Sequence, residues 1–183
     1  MSLDYSPDLL ARAAKIKLLL MDCDGVLTDG RVYFVPMPDG SINETKCFDC
    51  QDGIALGWAW RNGIETGVIT GRGGFAVRER ARTANMRYLF EGHTDKLPLL
   101  EQVVADSSLA LDQIAYIGDD ITDLPILKRV GLAAAPANSR AEVLERAHFR
   151  VPVAGGNGAV REVVELLLRA QGKWDAVWAH YDV

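Results

Sequence analysis

Residues 17–30 read Lys17-Leu18-Leu19-Leu20-Met21-Asp22-Cys23-Asp24-Gly25-Val26-Leu27-Thr28-Asp29-Gly30, an apolar run that ends abruptly on two carboxylates and a glycine. The run, which begins at Ile16, does not alternate, and so predicts a strand covered on both faces. The pattern recurs: Gly67-Val68-Ile69 ends at Thr70, and Ile114-Ala115-Tyr116-Ile117 ends at Gly118-Asp119. Helical patterns separate and follow these runs. Val160, Val163, Val164, Leu167 and Leu168 form one apolar stripe, with Gly172 as its stop signal. Leu97, Leu100 and Val104 form another, and Asp123 followed by Pro125 has the form of an N-cap and first turn. Strand–helix alternation of this kind predicts an α/β fold on a doubly wound, mainly parallel, Rossmann-like sheet. One segment breaks the rhythm. Arg31–Val35 and Ile42–Cys47, joined by Pro36-Met37-Pro38-Asp39-Gly40, predict a projecting β-hairpin flap over about 30–48. The tail, 173–183, carries Trp174, Trp178 and Tyr181 and has no partner element of its own, so its aromatics call for a surface on this fold or on a neighbouring chain.

At roughly 150 residues per domain, the 183 residues predict a single domain, 1–183. A net charge of −5 and a pI near 5.2 argue against nucleic acid as partner, because phosphate binding needs a basic footprint. No apolar run approaches the roughly 20 residues that span a bilayer, nor is the start suited to a secretory signal, so a cytoplasmic protein without membrane contact is expected. Cys47 and Cys50 form a C-x-x-C in a strand-to-helix loop; with Cys23 they read as ordinary cytosolic thiols. His93, His148 and His180 are scattered and form no zinc motif.

In an open α/β sheet, ligands bind beyond the carboxyl ends of the strands. The polar residues closing the apolar runs are Asp22 and Asp24, then Thr70, then Asp119, Asp120 and Asp123, with Lys96 opening a helix. Taken singly, each is as well explained as a cap or turn former; the ordered set is not. Converging carboxylates repel one another unless a cation sits among them, and oxygen-only ligands select a hard ion such as Mg²⁺. Asp22 is suited to attack phosphorus, and Asp24 to protonate the leaving oxygen and then to accept a proton from water. Thr70 and Lys96 are suited to hold phosphoryl oxygens, while Gly25 and Gly71 permit tight turns with free N–H groups.

Asp22-Cys23-Asp24-Gly25-Val26, Thr70, Lys96 and Gly118-Asp119-Asp120-Ile121-Thr122-Asp123 resemble the four motifs of the haloacid dehalogenase superfamily. The resemblance implies that Asp22 is nucleophile and magnesium ligand, and that Asp24 is acid/base with its main-chain carbonyl on the metal. It makes Asp119 the other carboxylate on the metal, with Asp120 and Asp123 orienting the groups around it. A carboxylate at position 24 points to phosphohydrolases within the superfamily.

About 40 residues separate Asp29 from Thr70 and about 25 separate Thr70 from Lys96, too few for a cap domain beyond the hairpin. The capless pattern, with Phe48 to Gly53, Ile69-Thr70-Gly71-Arg72 and Ala154 to Glu162, is similar to the phosphatase family that acts on 3-deoxy-D-manno-octulosonate 8-phosphate in lipopolysaccharide synthesis. That similarity implies a sugar-acid phosphate substrate and a homotetramer assembled through the hairpins, with a neighbour's tail helping to cover the site. Asp52, Gly53, Gly71, Arg72, Arg80 and Lys96 fall on its substrate positions, although Arg80 reads equally well as a solvated helix residue. Gln51, Gly57 and Asn157 stand where that family commonly has arginine, and the hairpin connector is two residues longer. Phosphates of nine-carbon keto-sugar acids are the alternative substrates. A phospho-acceptor signalling domain would also gather Asp, Thr and Lys, but its acidic pair comes first in the chain, whereas here Asp119-Asp120 comes last.

Overall fold

The strands of the computed structural model are, in chain order, β1 (Leu18–Met21), β2 (Tyr33–Pro36), β3 (Ile42–Thr45), β4 (Glu65–Thr70), β5 (Tyr88–Glu91), β6 (Ile114–Ile117), β7 (Leu132–Ala135) and β8 (Phe149–Arg150). The helices are α1 (Pro7–Ala13), α2 (Cys50–Arg61), α3 (Phe75–Thr83), α4 (Leu97–Ser107), α5 (Leu124–Leu127), α6 (Ala141–Leu144), α7 (Ala159–Ala170) and α8 (Trp174–Tyr181). The structure describes residues 5–182, so residues 1–4 of the expected domain and Val183 of the tail lie outside it.

Six strands form one parallel sheet in the order β5-β4-β1-β6-β7-β8. The chain builds outward from β1 through β4 to β5, then crosses back to β6 on the other side of β1. That reversal is a topological switch point, where α/β sheets open a crevice at their carboxyl edge. Met21 lies opposite Val68 of β4 and Ile117 of β6, so Asp22, Thr70 and Gly118-Asp119 emerge along one edge.

The unalternating strand composition has the expected cause. Leu19 and Met21 pack into one core with α1, α2, α7 and α8, while Leu18 and Leu20 pack into a second with α4, α5 and α6. In α7 the predicted stripe is fully buried, and Leu166 joins it; each such side chain contributes about 1.5–3 kcal/mol. Gly172, at φ 66°, ends the helix as expected. The stripe of α4 is shifted from the expected one. Leu99, Leu100 and Val103 carry the burial, and Leu97 and Val104 only flank it.

Between β1 and β4 lie only the hairpin and α2, and between β4 and β5 only α3, so the described chain has no cap. The hairpin pairs Tyr33 with Thr45 and Pro36 with Ile42, closed by Met37 N–H donating to Ser41 O at 2.8 Å. Of the two surfaces expected for the tail's aromatics, Trp174 and Tyr181 use this fold. Trp174–Tyr181 is a helix, and Trp174 and Tyr181 pack edge-on against Trp58 of α2, with ring centroids 5.6 and 6.3 Å away.

Candidate active site

Asp22 follows β1 and is nearly buried, its N–H donating to Ile117 O at 2.9 Å. Its Oδ1 accepts the Cys23 N–H at 2.6 Å, and its Oδ2 lies 2.9 Å from Lys96 Nζ. Lys96 immediately precedes α4 and reaches inward with only 2% of its side chain exposed. Its Nζ also donates to Asp123 Oδ1 at 2.7 Å, and the Tyr116 hydroxyl donates to the same oxygen at 2.7 Å. Asp123 Oδ2 takes the N–H groups of Asp119 and Asp120 at 3.0 and 3.2 Å. The expected N-cap is found in position but not in bonding. Asp123 occupies the cap position of α5 but spends no side-chain hydrogen bond on that helix. It is instead the anchor for Lys96 and for the turn carrying Asp119.

Carboxylate oxygens of Asp22, Asp119 and Asp123 lie within 4.8 Å of one another. Such crowding has an electrostatic signature. Burial, then the charge of Asp123, raises the Asp22 pKa against the pull of Lys96. Burial, then Asp22, pushes Asp119 up to about 7. Asp119 Oδ1 is buried without a hydrogen-bond partner, while Asp123 is saturated by donors. The donor set thus fits a hard divalent cation held by Asp22 and Asp119, with Asp123 supporting from behind. Lys96 stays charged: burial alone would lower its pKa, but Asp123 and Asp22 together raise it.

The raised carboxyls make a testable difference. A carboxyl whose folded pKa lies above its unfolded one favours the folded state at low pH, and that contribution is lost as pH rises from about 4 through about 7. A cation binds the deprotonated groups and offsets this loss. At ten times its dissociation constant, it should add about 1.4 kcal/mol, a rise of roughly 3–5 °C for a domain of this size. Calorimetric melts with and without Mg²⁺ should show that rise near pH 8 and little near pH 5.5. A rise independent of pH would contradict the assignment.

The loops around the cluster hold one another. Gly25, at φ 87°, has its Cα hydrogen against the Asp119 carboxylate, where any side chain would collide. Asn138 Nδ2 donates to Gly25 O at 2.9 Å, and its Oδ1 accepts the Gly155 N–H at 2.7 Å. Arg140 N–H donates to Asp119 O at 2.9 Å.

Asp22, Asp24, Gly71, Arg72, Thr94, Lys96, Asp119, Asp120 and Thr122 line one cavity of about 410 Å³. Thr70 is buried beneath it, its hydroxyl donating to Arg72 O at 2.9 Å and accepting the Arg72 N–H at 3.1 Å. Three expected substrate residues do not line this cavity. The Asp52 carboxylate is buried, and its Oδ1 accepts the Arg161 N–H of the first turn of α7 at 2.8 Å, while Oδ2 has no hydrogen-bond partner. Burial pushes its pKa up to about 6. Arg80 lies over Gly53 and over the Phe48 ring, 5.0 Å from its centroid. Nothing in the local sequence singles out Tyr116, hidden in an apolar run, or Thr94, Thr122 and Asn138, and Lys46 is marked only as a lone cation closing the second hairpin strand.

Residues 82–163 match the haloacid dehalogenase-like hydrolase family. Over 170 residues the chain is 39% identical to the 3-deoxy-D-manno-octulosonate 8-phosphate phosphatase KdsC of Escherichia coli K12, covering 93% of this chain and 88% of that protein. The structure resembles a probable YrbI-family phosphatase of Pseudomonas syringae (TM-score 0.91, 44% identity, 97% and 99% of the two chains). It also resembles the Moraxella catarrhalis 3-deoxy-D-manno-octulosonate 8-phosphate phosphatase in complex with magnesium, phosphate and KDO (TM-score 0.90, 35% identity, 97% and 99%).

Proposed function

This chain belongs to the haloacid dehalogenase-like hydrolases, within the 3-deoxy-D-manno-octulosonate 8-phosphate phosphatase family, and we propose that it hydrolyses that sugar-acid phosphate through an aspartyl-phosphate for lipopolysaccharide synthesis. The observation that carries this reading is the Asp22–Lys96–Asp123 network beside an unpartnered Asp119 oxygen.

In the first step an Asp22 carboxylate oxygen attacks phosphorus, the ester P–O bond breaks, and the leaving oxygen takes a proton from Asp24. Water then attacks the same phosphorus, its proton passes to Asp24, and Asp22 is regenerated as inorganic phosphate departs. Lys96, fixed by Asp123 and Tyr116, presents an ammonium to the phosphoryl oxygens without reorganising. On the other side Thr70 holds the Gly71–Arg72 turn through its two bonds to Arg72, which leaves the Gly71 N–H to serve as donor. Asp22 and Asp119, with the Asp24 carbonyl, would hold Mg²⁺, which when bound neutralises charge on the transferring group.

Phosphate release is the direct test. Sustained release from 3-deoxy-D-manno-octulosonate 8-phosphate is expected, well above that from hexose phosphates. Chelation should cut it by about 100-fold or more, and added Mg²⁺ should restore it. A stable, trapped phospho-Asp would instead indicate signalling, and metal-independent turnover would exclude the mechanism. A nine-carbon keto-sugar acid phosphate is the second substrate to screen, because Gln51, Gly57 and Asn157 remove cations suited to gripping the substrate carboxylate.

The hairpin exposes apolar surface, with Phe34 66% and Ile42 68% exposed beside Tyr33 and Val35. Such a patch is an expected assembly surface, and we place a homotetramer there. Light scattering that finds a fully active monomer would remove that assignment. Cys23, Cys47 and Cys50 are free thiols, which suits a cytoplasmic location. Among the described residues no helix is long and apolar enough to cross a membrane.

A further inference from the structure

The hairpin brings to the site a buried charge that the steps above do not use. Lys46 directly follows β3, and its side chain is 2% exposed. Its Nζ lies 2.8 Å from both carboxylate oxygens of Asp24. Lysine is almost never fully buried unless paired, because withdrawing an ammonium from water is costly. Here the whole of that pairing falls on one carboxylate. Among the described residues, no other side chain pairs with Asp24.

The rest of the strand supports the same arrangement. Alternate residues of a strand share a face, and Glu44, two residues before Lys46, lies 3.6 Å from Arg72 Nη1. The hairpin therefore reaches both loops that flank the cavity, the one carrying Asp24 and the one following Thr70. The Asp22 carboxylate is bound by Lys96 and the Cys23 N–H, and the turn carrying Asp119 is held by Asp123. Asp24 is bound only from the flap side. Two carboxylates two residues apart are thereby held by different parts of the fold, which separates attack on phosphorus from proton delivery.

We propose that Lys46 is a positioning residue for the reaction: its ammonium, donating to Asp24 Oδ2, holds that carboxyl group on the leaving-group side of the cavity and leaves Oδ1 to carry the proton, so that proton delivery requires the hairpin to be seated. The inference rests on Asp24 being the acid/base, and deepens that reading by naming what orients it. Lys46 itself touches neither phosphorus nor the leaving oxygen.

The test compares two phosphomonoesters of similar size, phenyl phosphate and 4-nitrophenyl phosphate, whose leaving oxygens differ in their need for a proton. For each, kcat/KM of the full chain with Mg²⁺ reports events through P–O cleavage. Lys46→Met should lower kcat/KM for phenyl phosphate by about 100-fold, within the range of a lost general acid. The loss for 4-nitrophenyl phosphate should stay below about 5-fold, since that leaving group departs with little help. Lys46→Arg, which keeps the cation, should preserve the wild-type ratio between the two substrates. Lys46→Gln provides the same contrast should the methionine variant fail to fold, folding being checked by thermal melting. Equal losses on both esters would reduce Lys46 to a structural anchor and overturn the proposal while leaving the phosphatase reading intact. A wild-type chain that releases phosphate from no phosphomonoester would overturn both.

Discussion

Asp22→Asn should abolish phosphate release, lowering kcat by at least about 10⁴-fold, equivalent to roughly 5.4 kcal/mol of barrier. The amide is nearly isosteric with the carboxylate and can still accept the Cys23 N–H that Oδ1 now takes at 2.6 Å. What it loses is the anionic oxygen that forms the bond to phosphorus, for which no neighbour substitutes. Asp119 faces a cation site, and Asp123 is occupied by four donors. Folding should survive, because the substitution removes one charge from a cluster in which burial and repulsion already raise the Asp22 pKa. The melting temperature should stay within a few degrees of wild type or rise. Single-turnover phosphate release with Mg²⁺ is the measurement, and substantial retained turnover would exclude Asp22 as nucleophile.

Asp123→Ala should damage both stability and activity. The Asp123 carboxylate is fully buried and accepts from Lys96, Tyr116 and two backbone N–H groups. Truncation leaves a phenol and two amides without an acceptor in a dry interior, and leaves the Lys96 ammonium with Asp22 alone as counter-charge. Removing one member of a buried ion pair costs about 3–5 kcal/mol, which for a domain of this size is a fall of roughly 6–20 °C in Tm. Activity should fall by more than about 100-fold, because Lys96 and the Asp119 turn lose their common anchor. The double variant Lys96→Met/Asp123→Leu separates the two effects. Replacing both charges by apolar groups should recover much of the lost stability, yet leave the enzyme inactive for want of the phosphate-binding ammonium. An Asp123→Ala protein melting at the wild-type temperature would show that the network carries little.

The match between sequence and fold is closest where one physical rule governs a whole segment. The strand runs are apolar on both faces because helices cover both faces of the sheet, and the α7 stripe follows from helical period alone. Correspondence weakens where a residue has two uses. Asp123 has the form of an N-cap, but a buried lysine outcompetes the helix for its carboxylate. Asp52 sits among residues resembling a substrate loop, but a helix N-terminus 109 positions later takes it. Tyr116 reads as one more apolar strand residue until its hydroxyl is found 2.7 Å from Asp123.

The chain's own order of residues determined the α/β class, the capless outline and the chemical kit of Asp22, Asp24, Thr70, Lys96 and Asp119, because local periodicity and side-chain chemistry belong to the residues themselves. Partners are different. That Lys96 joins Asp22 to Asp123, that Lys46 grips Asp24 from the hairpin, and that Asp52 turns toward α7 were decided only when the sheet brought distant segments together. A buried charge takes whatever counter-charge packing leaves within reach, and no local stretch of chain encodes that reach.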